Sequence, residues 1–165
     1  MSNPRVAELT DYIDKVRQRT LRVAAVIPPD RYDWTYAEGK FTFADLLRHL
    51  ASIERWMFAE NSMRRPSRYP GHGPELADSP EAVLAFMKAM HDESMTLFRS
   101  LTDEDLDTKT TTPGGADLRI GKWLRSMIEH EIHHRGQLYL YLGMLGIETP
   151  PLYGLTEEEV KRRSR

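Results

Sequence analysis

An all-α fold, a bundle of four long helices followed by a short C-terminal one, is predicted by three observations. Apolar residues recur at alternating steps of three and four in four separate stretches, which puts each set on one stripe of an α-helix. Clusters of proline and glycine fall between these stretches rather than within them, where they break helices. No stretch makes a convincing strand and no internal repeat divides the chain, so the four stripes must be buried against one another.

The first helix carries Val6, Leu9, Ile13, Val16, Thr20, Val23 and Ile27 on its stripe. Asn3 and Pro4 supply an N-cap and a first-turn proline, and Pro28-Pro29 stops it. The second reads from about Phe43 to Asn61, with Thr42 as cap and Phe43, Leu46, Leu47, Leu50, Ile53, Met57 and Phe58 inward. The segment "MRRPSRYPGHGPELADSP" is a loop by its prolines and glycines. Ser79-Pro80-Glu81 starts the third helix, whose stripe is Val83, Met87, Met90, Ser94, Leu97 and Leu101. From Thr102 to Ile120 the chain is polar, with Gly114-Gly115, and reads as a loop with room for a short turn or hairpin. The fourth helix runs from about Gly121 to Leu145 and ends at Gly146, a C-cap. Thr156 and Glu159 form a capping box for the terminal helix. The connections between helices two and three and between three and four are long for a bundle, which allows a topology other than simple up-and-down.

Length and composition bound the function. A chain of 165 residues fits one domain over residues 1–165 and can bury roughly two-thirds of its unfolded surface. Apolar residues make up 40% and charged residues 29%, ordinary for a globular protein. No apolar run approaches the ~20 residues of a membrane span, and the N-terminus is too charged for a signal peptide, so a cytoplasmic protein with no membrane partner is expected. A net charge of -2 gives no expectation of a nucleic-acid partner. There is no cysteine, which excludes disulfides, thiolate zinc sites and a cysteine nucleophile. Any thiol chemistry would need a thiol supplied by a second substrate.

The chemistry-bearing stretch is "IEHEIHHRGQLYLYLGMLG", where His130-Glu131-Ile132-His133-His134 fits the H-E-x-x-H pattern of zinc peptidases. On a wheel of about 100° per residue, His130 and His134 fall about 40° apart on or beside the apolar arc of Trp123, Leu124, Met127, Leu138, Tyr141, Leu142 and Leu145. Two imidazoles at i, i+4 facing inward can share one metal. A bundle core is otherwise an unfavourable place for both, unless neighbours such as Glu131, Glu54 or a tyrosine use their nitrogens. His133 lies further round, towards solvent. His49, beside the Leu46/Leu50/Ile53 face of the second helix, is the candidate third ligand. Three imidazoles from two facing helices leave coordination positions open, as catalytic sites do. His72, in "YPGHGP", reads as solvated, and His91 as a surface or partly buried histidine.

The peptidase reading is disfavoured. The extended metzincin pattern needs a glycine where this chain has Gln137, and no strand-rich region precedes the motif to hold an extended peptide. Glu131 and Glu54 both fall on apolar arcs, and buried carboxylates are seldom left unpaired. Either could orient a ligand imidazole through its second nitrogen, or pair with Arg48 or Arg135. The residues do not choose between these.

"LLRHLASIERWMF" followed by the "H-x-x-H-H-R-G-Q-L" run resembles the DinB-like (DinB/YfiT) metalloenzyme superfamily, and "ETPPLYGLTEEEV" resembles the ending of one subgroup. The likeness covers nearly the whole chain. It implies a four-helix bundle of down-up-up-down type, commonly a homodimer, with a divalent metal held by one histidine of the second helix and two of the fourth. Carried over by position these are His49, His130 and His134. It also implies transferases or isomerases that use low-molecular-weight thiols on small electrophiles.

The expected function is therefore a metal-dependent enzyme acting on a small molecule, with a thiol cosubstrate. Metal-dependent hydrolysis and a non-catalytic metal- or ligand-binding bundle are the alternatives. All-imidazole ligation suits zinc, nickel, copper or iron, so ligand type alone does not pick the metal; Zn2+ or Ni2+ is the expectation, with Fe2+ or Mn2+ behind them. A homodimer follows from the resemblance, supported by apolar groups near loops at Trp34, Tyr36 and "PPLY".

Overall fold

The structure, a computed structural model, describes residues 3–164. Helix α1 spans Pro4–Ala24. Helix α2 spans Phe43–Ile53 and continues without a break through a π-helical turn, Glu54–Ala59, into a last turn at Glu60–Ser62. Helix α3 is Pro80–Arg99, α4 is Ile120–Met144 and the short α5 is Glu157–Arg163. Two three-residue strands, β1 (Lys109–Thr111) and β2 (Asp117–Arg119), form the antiparallel hairpin for which the α3–α4 connection had room. No helix among the described residues is long and apolar enough to cross a membrane.

Most helix ends follow the expected local chemistry. Thr42 and Asp45 close a reciprocal capping box at α2, the Ser79 hydroxyl accepts from the Ala82 amide, and Thr156 with Glu159 caps α5. At the end of α4, Gly146 takes φ +68, and the amides of Ile147 and Gly146 return to the carbonyls of Leu142 and Gly143. That paired bonding needs a left-handed residue, which glycine adopts at low cost. The N-terminus of α1 differs from expectation. The Asn3 side chain makes no capping bond; instead the Asp103 carboxylate accepts from the amides of Arg5 and Val6 at 3.2 and 2.9 Å. A residue from the start of the α3–α4 connection thus caps the first helix.

Helix α1 packs against α3 and α4, and α2 packs against the same two, so α1 and α2 stand across the bundle from each other. The core divides into two apolar clusters. One holds Val23 of α1, Phe43, Leu46 and Leu50 of α2, Val83 and Met87 of α3, and Leu138 and Leu142 of α4. The other holds Val6 and Ile13 of α1, Phe58 of α2, Met95 and Phe98 of α3, and Leu124 and Ile128 of α4. From the second cluster to the first, residue numbers rise along α1 and α4 and fall along α2 and α3. The topology is therefore down-up-up-down. Because α2 and α3 run in parallel, residues 63–79 must travel back along the bundle to connect them. That crossover passes the middle of α2, where His49 sits.

Candidate metal centre

His49 projects from α2, and His130 and His134 project one turn apart from α4. The His130 Nε2 lies 3.1 Å from the Nε2 of His49 and 3.1 Å from the Nε2 of His134. One ring nitrogen from each of the three falls within 4.8 Å of the others. Nitrogens bound to one ion at about 2.0–2.1 Å stand about 3 Å apart, so this donor set fits a single divalent metal with positions left over. The three residues selected from helical spacing and from the resemblance are thus brought together.

The other face of two of the rings is also occupied. His134 Nδ1 is 2.6 Å from the Gln137 amide oxygen, one turn along the same helix. That oxygen can only accept, so Nδ1 carries the proton and Nε2 presents its lone pair to the cluster. His49 Nδ1 is 2.7 Å from the Tyr69 hydroxyl on the crossover. All three rings are half-buried. Burial, then the neighbouring His130 and His134, pushes the His49 pKa down to about 3. Burial, then His134 and His133, pushes His130 down to about 4. Burial also lowers His134, against the Gln137 hydrogen bond. The cluster is therefore held neutral near pH 7, the state in which imidazole is a ligand.

The carboxylates considered as partners for these rings lie elsewhere. Glu54 and Glu131 are buried, but both turn to Arg17 of α1, at 2.7 and 3.1 Å. Neither hydrogen-bonds to a ring of the cluster among the described residues. Arg48 and Arg135 form no ion pair with either carboxylate, although the Glu131 charge reaches Arg135 and opposes the lowering of its pKa by burial. Arg48 pairs with Asp45 and binds the carbonyls of His72 and Ala77, while Arg135 binds the carbonyl of Val16. Arg17 has 0% exposure and lies between the two apolar clusters, reaching across the bundle from α1 to α2. The π-helical turn begins at Glu54, directly across from it.

His91 corrects the sequence reading most clearly. It is 4% exposed, with Nδ1 3.0 Å from Glu54 and Nε2 3.2 Å from Asp14. Burial alone would lower its pKa; the hydrogen bond and charge of Glu54, with help from Asp14, raise it instead. Both His91 ring nitrogens face carboxylate oxygens, so with Arg17 a protonated His91 would offset the charges of Glu54 and Glu131 buried in one layer. Position 91 looked peripheral because α3 buries a wider face than one stripe: it packs against both α1 and α2, so His91, Met95 and Phe98 are covered as well.

His133 is exposed beside the His134 ring, as its place on the wheel indicates. His72 is not free in solvent: its ring packs 4.4 Å from that of Phe41, and its Nδ1 lies 3.2 Å from the Tyr69 hydroxyl. Gln137 could have been found in the sequence, since it stands at i+3 from His134. Tyr69 and His72 could not, because nothing in a proline-rich loop fixes which helix it crosses.

Residues 12–138 match the DinB superfamily. An uncharacterized protein of Bacillus subtilis, YjoA, is 28% identical over 140 residues, 83% of this chain and 88% of YjoA. Its crystal structure superposes with a TM-score of 0.69 at 21% identity, covering 88% of this chain and 96% of YjoA. A DinB-like protein of Bacillus cereus gives 0.73 at 17% identity, over 87% of this chain and 94% of that one. YfiT of B. subtilis, described as a probable metal-dependent hydrolase with an unusual four-helix bundle topology, gives 0.69 at 19% identity, over 90% and 91% of the two chains. With the family match spanning most of the sequence and the down-up-up-down bundle beneath it, this chain belongs to the DinB superfamily.

Proposed function

We propose that His49, His130 and His134 bind one divalent metal ion, Zn2+ or Ni2+ ahead of Fe2+ or Mn2+, and that the protein is an enzyme using this site on a small-molecule substrate. The observation that carries the reading is the convergence of three imidazoles, with the Nε2 atoms of His49 and His134 each 3.1 Å from that of His130 and all three donors within 4.8 Å, on a partly open face of the bundle. A divalent ion there would lower the pKa of a coordinated thiol or water. The protein's own part is to hold three neutral imidazoles in place, with Gln137 fixing one tautomer and Phe41 and Phe58 flanking the rings.

Transfer of a thiol to a small electrophile, or a thiol-assisted isomerisation, is the leading version. Glu131, the residue that would serve as base in a peptidase-like hydrolysis, is committed to Arg17, and the chain has no cysteine of its own. A low-molecular-weight thiol is already acidic enough to ionise on a metal without a carboxylate base. Metal-dependent hydrolysis is the second reading, favoured by the likeness to YfiT. The test is turnover by metal-loaded protein with a thiol and a generic electrophile, beside a panel of esters and amides. Thiol-dependent turnover supports the first reading, and hydrolysis without thiol replaces it with the second. Stoichiometric metal with neither leaves a binding bundle.

A cytoplasmic homodimer belongs to the same reading. Leu140, Met144 and Tyr153 are 57%, 54% and 76% exposed, apolar surface of the kind an interface covers. Trp34 contributes less than its sequence suggested, since it packs on Phe43 and Tyr141. Light scattering behind gel filtration gives the mass directly, and a monomer at micromolar concentration removes the dimer.

A further inference from the structure

The residue preceding His49 ties down the chain that covers it. Arg48 is 4% exposed. Its Nε donates to the His72 carbonyl and one terminal nitrogen to the Ala77 carbonyl, both at 2.7 Å, while the other donates to Asp45 at 2.8 Å. Asp45 is itself fixed by the capping box with Thr42. The crossover is thus clamped to the first turns of α2, and two of its side chains form an ordered line. The Tyr69 hydroxyl lies 2.7 Å from His49 Nδ1 and 3.2 Å from His72 Nδ1. Phe41 packs against both imidazoles, with centroids 5.4 and 4.4 Å away.

A hydroxyl has one proton, so this line can run in two directions. In one, His49 Nδ1–H donates to the Tyr69 oxygen and Tyr69 O–H donates to His72 Nδ1; His49 Nε2 is then a bare lone pair. In the other, His72 Nδ1–H donates to Tyr69 and Tyr69 O–H donates to His49 Nδ1. The His49 proton then sits on Nε2 and blocks it as a ligand. His134 Nε2 is a bare lone pair 3.1 Å from His130 Nε2, so a proton on His130 Nε2 avoids two facing lone pairs. His49 Nε2, also 3.1 Å from that atom, is then left bare, with or without an ion in the cluster.

We propose that Tyr69 and His72 are positioning residues: they form a directed hydrogen-bonded arm that holds His49 as the Nδ1-protonated tautomer, with its Nε2 lone pair aimed at the cluster. His72 acts without touching the centre, by accepting the Tyr69 proton and so denying it to His49. The role of the arm in ligation rests on the metal-centre reading; the tautomer itself does not.

The experiment uses the full chain, metal-free, labelled with 15N-histidine. Long-range proton–nitrogen correlation reads the His49 tautomer, and Zn2+ affinity is measured by chelator competition. In the wild type His49 is expected to be protonated at Nδ1. Tyr69→Phe removes the Nδ1 partner, and His72→Ala frees the Tyr69 proton to turn toward His49. Both should move His49 toward the Nε2-protonated tautomer. Zn2+ binding should weaken by about 10- to 100-fold in Tyr69→Phe, the usual effect of losing an outer partner, and by less in His72→Ala. Helical circular dichroism checks folding, and His72→Ala, a trim at a half-buried loop position, carries the test should Tyr69→Phe unfold. An unchanged His49 tautomer in both variants, or an Nε2-protonated His49 in the wild type, overturns the arm. Wild-type protein that shows the expected tautomers yet takes up no Zn2+ overturns the metal centre and upholds the arm.

Discussion

Burial pushes the pKa down both at the three-histidine cluster and at His91, yet the two end on opposite sides of the ordinary imidazole value. At the cluster of His49, His130 and His134, desolvation adds to the mutual repulsion of three imidazoles, and the pKa values fall. At His91, desolvation is larger than any single opposing effect, yet Glu54 and Asp14 together reverse it and the pKa rises. The first group is kept neutral and offers lone pairs; His91 is biased toward its charged form between two carboxylates and Arg17. What differs is the sign of the neighbours, and this separates a candidate ligand from a structural cation more reliably than burial does.

The comparison breaks first at the ligands. His49→Ala, His130→Ala or His134→Ala is expected to weaken metal binding more than about 100-fold, while metal-free stability changes by about 1 kcal/mol or less. Equilibrium dialysis with metal analysis and urea unfolding read the two quantities. Retained stoichiometry in His49→Ala would detach α2 from the centre.

Next comes the ion-paired layer. Arg17→Met leaves Glu54 and Glu131 buried with one cation too few, and should cost about 3–5 kcal/mol in urea unfolding. Metal affinity should change far less than in any ligand substitution. Adding Glu131→Leu restores the count, since Glu54 and His91 then balance, and should recover at least half of the loss. A double variant no more stable than Arg17→Met would show that charge balance is not what the layer requires.

The pH dependence of the metal-free protein separates the groups by sign. His91, raised in the fold, contributes stability that is present below its ordinary pKa of 6.5 and is lost as pH rises through its raised value. His49 and His130, lowered to about 3 and about 4, contribute stability that is present above 6.5 and is lost as pH falls toward those values. Urea midpoints across pH 4 to 9 should therefore lose the alkaline-side decline attributed to position 91 in His91→Gln. A variant profile superimposable on that of the wild type would place His91 outside the ionised layer. The smallest effect is expected at His133→Ala, within about 0.5 kcal/mol of the wild type and with metal affinity unchanged by competition titration.

The helices, their caps and the histidine triad were legible because they depend on periods of three and four along one chain. Val6, Ile13, Val16 and Val23 all lie inward as their spacing indicates, and His130 and His134 face one way because residues four apart on a helix must. The ion-paired layer was harder to read. Arg17 stands next to Val16 in the stripe but is a charge where hydrophobicity is expected, and its two acidic partners lie on α2 and α4. Asp103, which caps α1, is nearly a hundred residues from it in sequence.

Sequence by itself determined the all-α class, the helix limits to within a few residues, the absence of cysteine chemistry and the three candidate ligands. Tertiary structure decided which carboxylates, hydroxyls and amides those ligands meet. Glu54 and Glu131 were drawn to Arg17, His91 was drawn into their layer, and Tyr69 arrived at His49 on a connection that parallel α2 and α3 oblige to run the length of the bundle. The reason is physical. A helical repeat orients side chains about their own axis, whereas the pairing of buried charges and hydrogen-bond donors is settled by which axes come together and in which direction they run.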